Sequence, residues 1–481
     1  MKYIHHFILN KHFNGFISDQ KNNFSSYQII KRCNYLINFL IKKKVKKGFK
    51  TLIIIPSNVF IPISITAVSF LGGIFSIVDE NVSQKTLKNV IDNFKPEIII
   101  KSKKLKILHS IKFINISYED YLEKKCDFIK KVSVKRSIYD IVSITYTSGS
   151  TGSIKGVMSN HQNIIFSTTK ILEFLKYKNV KIGCFLPLSF DYGLYQIFLA
   201  FKSNSDLYLG NTDEVGIRLV DIIKMNNINC LPLVENLLIN YLNLIKRYPS
   251  NHIKLKIITN TGSSISKKYI ENIKLINKKL KVFLMYGLTE CKRVSILDYN
   301  KFPKKINSVG KALKSTKCWV VNKKKERMIN NDKGELVIEG KNVMQGYFKD
   351  KILTEEKFTK INKDVSRLYT GDVCKIDKEG FIYFFGRKDD IFKNKNYRIS
   401  KLEVENNLKD IRNIEDLAII IPNNKKKYSF FIKTEMSKIE LIKKIKKNLD
   451  FYKIAEKIFI LKKIPRNNRG KIDEKKLLNI K

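Results

Sequence analysis

The chain lacks the cysteine pattern of a secreted or metal-stapled protein. Its seven cysteines, Cys33, Cys126, Cys184, Cys230, Cys291, Cys318 and Cys374, include no CxxC pair. An odd, scattered set argues against a disulfide framework and fits buried, inert thiols in a reducing cytoplasm. Acidic residues are also scarce: 44 Asp and Glu stand against 92 Lys and Arg, a formal charge of +48. A basic face can attract nucleic acid, an anionic membrane or an acidic partner. Here the lysines are spread along the whole chain, and zinc-finger, RRM-like and basic-zipper signatures are missing. The charge therefore reads as a composition-wide enrichment, with no nucleic-acid partner expected. A long apolar run is missing too. The most apolar stretch, Thr51 to Val78, is interrupted by Pro56-Ser57-Asn58, Pro62 and Gly72-Gly73, whereas a membrane span needs about 20 mostly apolar residues. The N-terminal MKYIHHFILNKHF has neither the apolar core nor the cleavage site of a signal peptide.

What is present is an ordinary globular composition, 43% hydrophobic, in 481 residues. That length is too great for one core, so two or more domains are expected. Short β-branched runs alternate with segments of helical period. LIII at 52–55, an apolar helix at 60–71 and FSIV at 75–78 form one unit. TLKNVIDNF at 86–94, EIII at 97–100 and IVSITY at 141–146 continue the pattern. The alternation predicts an α/β fold with a mainly parallel sheet covered by helices. From about residue 305 the texture changes to short strands between Gly and Asp turns: CWVVN, GELVIEG, YTGDVCKID and GFIYFFGR. A last section, 390–481, carries the strands LAIII, YSFFIK and KIFIL with basic amphipathic helices, a pattern for a small α+β lid.

The first chemical signal is YTSGSTGSIKG, Tyr146 to Gly156, directly after a strand-like run. Small residues let a backbone approach a polyanion, and N–H groups and hydroxyls can donate to phosphate oxygens. Lys155 would add a charge. No Gly-Lys-Ser/Thr ends the loop, so it is not the Walker type. On its own residues it stays open between a plain turn and a phosphate-binding loop.

Other segments follow in a fixed order: YGLTE at 286–290, GELVIEGKNVMQGY at 334–347, YTGD at 369–372, GRKDD at 386–390 and PRNNRGKID at 465–473. With the loop, and with LGGIFSIVDENVSQKTLKNVIDNFKPEIII at 71–100, these resemble the adenylate-forming (AMP-binding) superfamily of acyl-CoA synthetases, luciferases and nonribosomal-peptide adenylation domains. The resemblance spans essentially the whole chain. It implies a large N-terminal domain, 1–388, of two α/β subdomains and a β-rich subdomain, followed by a mobile α+β lid, 389–481, that turns about Asp389. It also implies ATP-dependent conversion of a carboxylic acid to an acyl-adenylate, release of pyrophosphate, and transfer of the acyl group to a thiol.

By the same resemblance, Thr147, Ser148, Gly149, Ser150, Thr151, Gly152 and Lys155 would hold the departing phosphates. Thr289 would touch the α-phosphate, and Glu290 would hold Mg²⁺, a hard cation suited to carboxylate and phosphate oxygens. Tyr286 and Gly287 would lie at the adenine. Asp372 would bind the ribose hydroxyls with Arg387 nearby. Lys471 would bridge the acid and the α-phosphate, stabilising charge that develops in the transition state.

LPLSFDYGLYQIF at 186–198 bears on the acid. Ser189-Phe190-Asp191 resembles the SFD of amino-acid-activating domains, where the Asp meets the substrate ammonium. A buried carboxylate needs such a cation. Asp191 as a plain cap on the following helix is the other reading. An amino acid is therefore favoured, with a fatty or aryl acid for an acyl-CoA ligase as the alternative. A catalytically silent adenylate-binding scaffold is a further alternative. Thr261, Gly262, Ser263 and Met285, with Asn260 and Leu284, are expected to line the same pocket. No carrier-protein or condensation signature flanks these segments, which predicts a free-standing enzyme serving CoA or a separate carrier protein's phosphopantetheine.

Overall fold

The computed structural model describes residues 2–9, 13–107, 112–148, 154–247, 255–262, 265–328, 332–388, 391–394, 397–421, 428–450, 453–467 and 472–480. The chain forms two compact units. The first comprises Met1–Ser264, Glu271–Cys318 and Ile338–Leu368; the second comprises Ile265–Ile270, Trp319–Val337 and Tyr369–Lys481.

Two sheets build the first unit. One has six strands, in the order Ile114–Ser117, Ile98–Lys101, Lys50–Ile54, Ile74–Ile77, Ile141–Ser148 and Ile154–Asn160. The first five are parallel and the last is antiparallel to its neighbour. Leu52, Ile53 and Ile54 are all fully buried. A continuous β-branched run of this kind is what a parallel strand covered on both faces requires.

The expected strand–helix–strand over the apolar stretch is present, with the helix at Phe60–Phe70. Its residues 60–69 are all buried. The polar members are satisfied locally: the Ser64 and Thr66 hydroxyls each donate to a carbonyl one turn back, at 2.7 Å. The helix Gln84–Phe94 buries Leu87, Val90, Ile91 and Phe94, one face of a 3.6-residue period, and starts at the capping Ser83. Among the described residues no helix is long and apolar enough to cross a membrane.

The second sheet has nine strands, in the order Lys311–Ala312, Lys292–Asp298, Lys281–Leu288, Ile257–Asn260, Cys230–Leu233, Lys181–Cys184, Asp206–Leu209, Phe16–Ser18 and Asn23–Ser25. Its middle is parallel and its two edges turn antiparallel. The chain from Thr316 to Arg387 supplies the five strands of a further sheet, matching the expected β-rich segment.

Within the second unit, Asp416–Ile420, Ser429–Lys433 and Lys457–Ile460 make a three-stranded sheet. Val404, Leu408, Leu441 and Ile445 pack on one face with Ile419, Phe430 and Ile432. Leu477 and Ile464 pack on the other with Ala418, Ile420 and Phe431. These are the strands and amphipathic helices legible in the sequence. All seven cysteines are free, and burial pushes Cys184, Cys230 and Cys318 up to about 12, so they are poor nucleophiles.

The N-terminal segment is anchored by buried histidines. His5 Nδ1 lies 2.9 Å from Ser69 Oγ, and the Ile4 N–H donates to His161 Nδ1 at 3.4 Å. Burial lowers His5 to about 2; His6, His161 and Arg136 add to the effect. Burial lowers His161 to about 4, with Arg136 and His6 acting the same way and Asp140 opposing them. Both rings are therefore neutral when folded and take up protons on unfolding below their ordinary value near 6.5. Stability from these groups is complete above that pH and is lost as pH falls, by up to about 1.4 kcal/mol per unit for each group. Thermal unfolding between pH 7.5 and 5 should show the loss. His161→Gln should flatten the slope; an unchanged slope would remove His161 from the account.

Candidate active site

The loop at 146–156 joins two strands of a hairpin in which Tyr146 faces Gly156 and Thr147 faces Lys155. Thr147 is half-buried, and its hydroxyl donates to the Lys155 carbonyl at 3.4 Å. A side chain at Gly156 would meet Ile144 Cγ2 at 2.8 Å and the Tyr146 ring at 3.1 Å. Ser148 ends the first strand, whereas Gly149, Ser150, Thr151 and Gly152 lie outside the described residues.

YGLTE closes the strand Lys281–Leu288 and places Thr289 and Glu290 in the turn to Lys292–Asp298. The register slips between Tyr286 and Gly287. A Cβ at Gly287 would lie 1.6 Å from the Lys292 carbonyl oxygen, so only glycine fits. Tyr286, Met285 and Leu284 are buried behind this turn.

One segment brackets the loop hairpin and Glu290 together. Along residues 344–348, the Phe348 N–H donates to Gly156 O, Gln345 to Met158 O, and Met344 to Glu290 O at 2.9 Å. The Tyr347 hydroxyl then donates to Glu290 Oε1 at 2.8 Å, while Lys155 Nζ stands 6.0 Å from the Tyr347 ring centre. The segment overlaps the GELVIEGKNVMQGY motif, in which no role for Tyr347 is legible. Its position as the aromatic end of GELVIEGKNVMQGY was the signal available.

A second cluster, the one expected to meet the acid, gathers at the start of the helix Asp191–Ser203. Phe190 is half-buried and occupies the cap position, and no side chain caps the helix; Asp191 is its first residue, in the favourable first turn. Asp191 Oδ2 lies 3.9 Å from Lys292 Nζ, with the lysine side chain 3% exposed and the aspartate 17%. Lys292 has φ 49° and sits 5.3 Å from the Tyr195 ring centre. Burial holds its ammonium below the usual lysine range, and Asp191 and Glu290 pull it back up. Arg293, 5% exposed, donates from Nη1 to Thr261 Oγ1 at 3.2 Å and covers the Tyr192 ring at 4.9 Å. Tyr192 is fixed in turn by its hydroxyl, 2.7 Å from Thr259 O.

Gly262 has φ 83° beside open space, and Asn260 donates to Leu233 O. Ser263 lies outside the described residues. Lys292 and Arg293 were missed in the sequence because they follow the motif and are two cations among many. Next to Ser189, a cleft of about 280 Å³ opens at the carboxyl ends of the strands from both sheets, lined by 55–57, 77–81 and 185–189 among others.

In the second unit, Asp372 and Arg387 face each other across paired strands. Asp372 is 1% exposed, and Arg387 Nη1 donates to its Oδ1 at 2.7 Å. The neighbouring Gly371 has φ 73° and its N–H donates to Glu335 Oε1. Asp389 and Lys471 lie outside the described residues. On either side of 468–471, Arg466 bridges Ile472 and the Asp473 N–H donates to Pro465 O, and Asp473 then caps the helix Glu474–Leu478.

Glu290 fits a hard cation: it is a half-buried carboxylate whose Oε1 is oriented by Tyr347. Among the described residues no group of three or more His, Cys, Asp or Glu could cage a metal. A single carboxylate is the usual protein share of Mg²⁺ bound with a nucleotide.

A family model described as AMP-binding enzyme matches residues 12–348. A probable CoA ligase of Humulus lupulus is 26% identical over 473 residues, which is 91% of this chain and 84% of that protein. Gramicidin S synthase 2 of Brevibacillus brevis is 27% identical over 485 residues, 94% of this chain but only 10% of that protein. The solved structure of Bacillus subtilis o-succinylbenzoate CoA synthetase, holding its acyl-adenylate, superposes with a TM-score of 0.85 at 20% identity, over 100% of this chain and 98% of that one.

Tyr347→Phe should keep the ring packing and lose the bond to Glu290, costing about 0.5–1.5 kcal/mol. A melting temperature lowered by a few degrees is expected; an unchanged melting temperature would mean the ring alone matters.

Proposed function

The chain belongs to the AMP-binding enzyme family, and on that premise we propose the following division of labour within its site. The protein is an adenylate-forming acid–thiol ligase. The carboxylate of an acid attacks the α-phosphorus of ATP, pyrophosphate leaves, and the acyl-adenylate is then attacked by a thiol with release of AMP.

Two anions must approach each other, so the residues act chiefly by neutralising and positioning charge. Thr147 and Ser148, continuing into 149–152, would receive the β- and γ-phosphates, with Lys155 adding a cation at the loop's end. Thr289 would donate to the α-phosphate. Glu290 would hold Mg²⁺, whose chemistry is to neutralise phosphate charge. The contact that supports this most is the single segment, 344–348, bonded to both the loop hairpin and Glu290. Phosphate binding and metal binding are thereby held in one frame.

In the second unit a buried aspartate with one oxygen engaged by Arg387 suits the ribose hydroxyls. Tyr286 and Gly287 would border the adenine. Lys471 would enter with the lid, turning about Asp389 from a domain boundary at 388/389, to stabilise the developing charge. The thiol would belong to CoA or to a carrier protein's phosphopantetheine, and the basic surface suits both.

The amino-acid reading of Asp191 is weakened by Lys292, which already brings a cation to 3.9 Å from that carboxylate. The acid is better approached through Phe190, Asp191, Thr261, Gly262, Ser263 and Met285 together with Lys292 and Arg293.

Acid-dependent exchange of labelled pyrophosphate into ATP, screened across amino, fatty, aryl and dicarboxylic acids, tests the reading; exchange with none of them would overturn it. Lys471→Ala should remove at least about 100-fold of the exchange, the scale of losing one transition-state contact. It should spare thioester formation from supplied acyl-adenylate. Equal loss of both steps would contradict the role given to that lysine.

A further inference from the structure

Arg293 presents an unsolved charge problem. The residue is only 5% exposed, yet among the described residues no carboxylate forms an ion pair with it. Nη1 donates to a neutral hydroxyl, Thr261 Oγ1, and the ring of Tyr192 faces the guanidinium. Nε is buried with no hydrogen-bond partner. A guanidinium in such surroundings is costly unless an anion meets it.

The nearby carboxylates are committed elsewhere. Asp191 faces the buried Lys292 at 3.9 Å, and Glu290 accepts from Tyr347. The cluster thus holds two cations, one of them without a counter-ion among the described residues, at the proposed acid end of the site. Gly262, next to Thr261, is exposed, and among the described residues a Cβ on it would meet nothing within 4 Å.

We propose that Arg293, with Thr261, receives a second carboxylate of the acid being activated, so that the preferred substrate is a dicarboxylic acid. This inference rests on the adenylation reading above. The guanidinium is suited to the task because its planar donors match a carboxylate in pairs, and it stays charged when buried. Lys292 is held by Asp191 and contributes a positive field without competing for the same oxygens. A substrate ammonium placed here would meet two cations, so an amino acid is accepted only if it carries its own second carboxylate.

The test compares exchange of pyrophosphate into ATP for a series of dicarboxylic acids and the matching half-amides, which are isosteric but lack the second charge. The wild-type protein should prefer the best diacid by roughly 10- to 100-fold in kcat/KM, the value of a charge-assisted hydrogen bond. Arg293→Met should reduce that preference to within about threefold, mainly through KM, and Arg293→Lys should restore part of it. Equal use of diacid and half-amide by the wild type, or a proportional loss of both in Arg293→Met, overturns the inference. So does exchange confined to acids without a second anionic group, which leaves adenylation standing. Absence of exchange with every acid removes the adenylation reading itself, and this inference with it. The wild-type comparison stands even if the variants fold poorly.

Discussion

The hydroxyl of Tyr347 on Glu290 is the contact on which the proposed phosphate side of the site depends. Glu290 sits in the short turn between two strands that, after the slip at Tyr286/Gly287, pair again at Gly287–Arg293 and Leu288–Lys292. The 344–348 segment holds it from outside that hairpin. That segment bonds Gly156 and Met158 of the loop hairpin through its backbone, and Glu290 through both backbone and side chain. A carboxylate in the metal-binding role proposed for Glu290 would gain from losing one degree of freedom beforehand, since less ordering would remain to be done on binding. The Lys155 ammonium stands 6.0 Å from the centre of the same ring.

The acid side is governed by a different constraint, the cost of burying charge. Four ionisable side chains, Asp191, Glu290, Lys292 and Arg293, lie along two adjoining elements, and three contacts account for most of their satisfaction. Lys292 Nζ at 3.9 Å from Asp191 is an ion pair rather than a hydrogen bond, so the pair is held by burial as much as by geometry. Its position depends on the left-handed backbone at Lys292, which in turn needs glycine at 287 to clear the carbonyl. One glycine therefore serves the Thr289–Glu290 turn and the Asp191–Lys292 pair together.

Much of this was legible in advance. The LIII and EIII runs read correctly as buried parallel strands, because covering both faces leaves no polar alternation to confuse. The Pro and Gly interruptions between Thr51 and Val78 correctly turned an apolar stretch into strand, helix and strand. The strands LAIII, YSFFIK and KIFIL were visible for the same reason. Gly287 was named for the nucleotide; the structure adds a backbone reason that no spacing could reveal, the approach of a chain segment five residues away. Asp191 was read as waiting for a cation or as a cap. Its observed partner, Lys292, lies 101 positions along the chain and comes near only because two strands of the nine-stranded sheet run antiparallel there. Tertiary pairing of that range leaves no local trace. Lys292 and Arg293 were hidden for a second reason, since in a chain with 92 basic residues two more carry little signal.

The central claim is that this site directs attack to the α-phosphorus of ATP. Phosphorus NMR of ATP consumed in the presence of Mg²⁺, a dicarboxylic acid and CoA tests it most directly. The account predicts AMP and pyrophosphate in equal amounts, with consumption that depends on the acid and falls sharply in Glu290→Gln. Accumulation of ADP and inorganic phosphate would place the attack on the γ-phosphorus and contradict it.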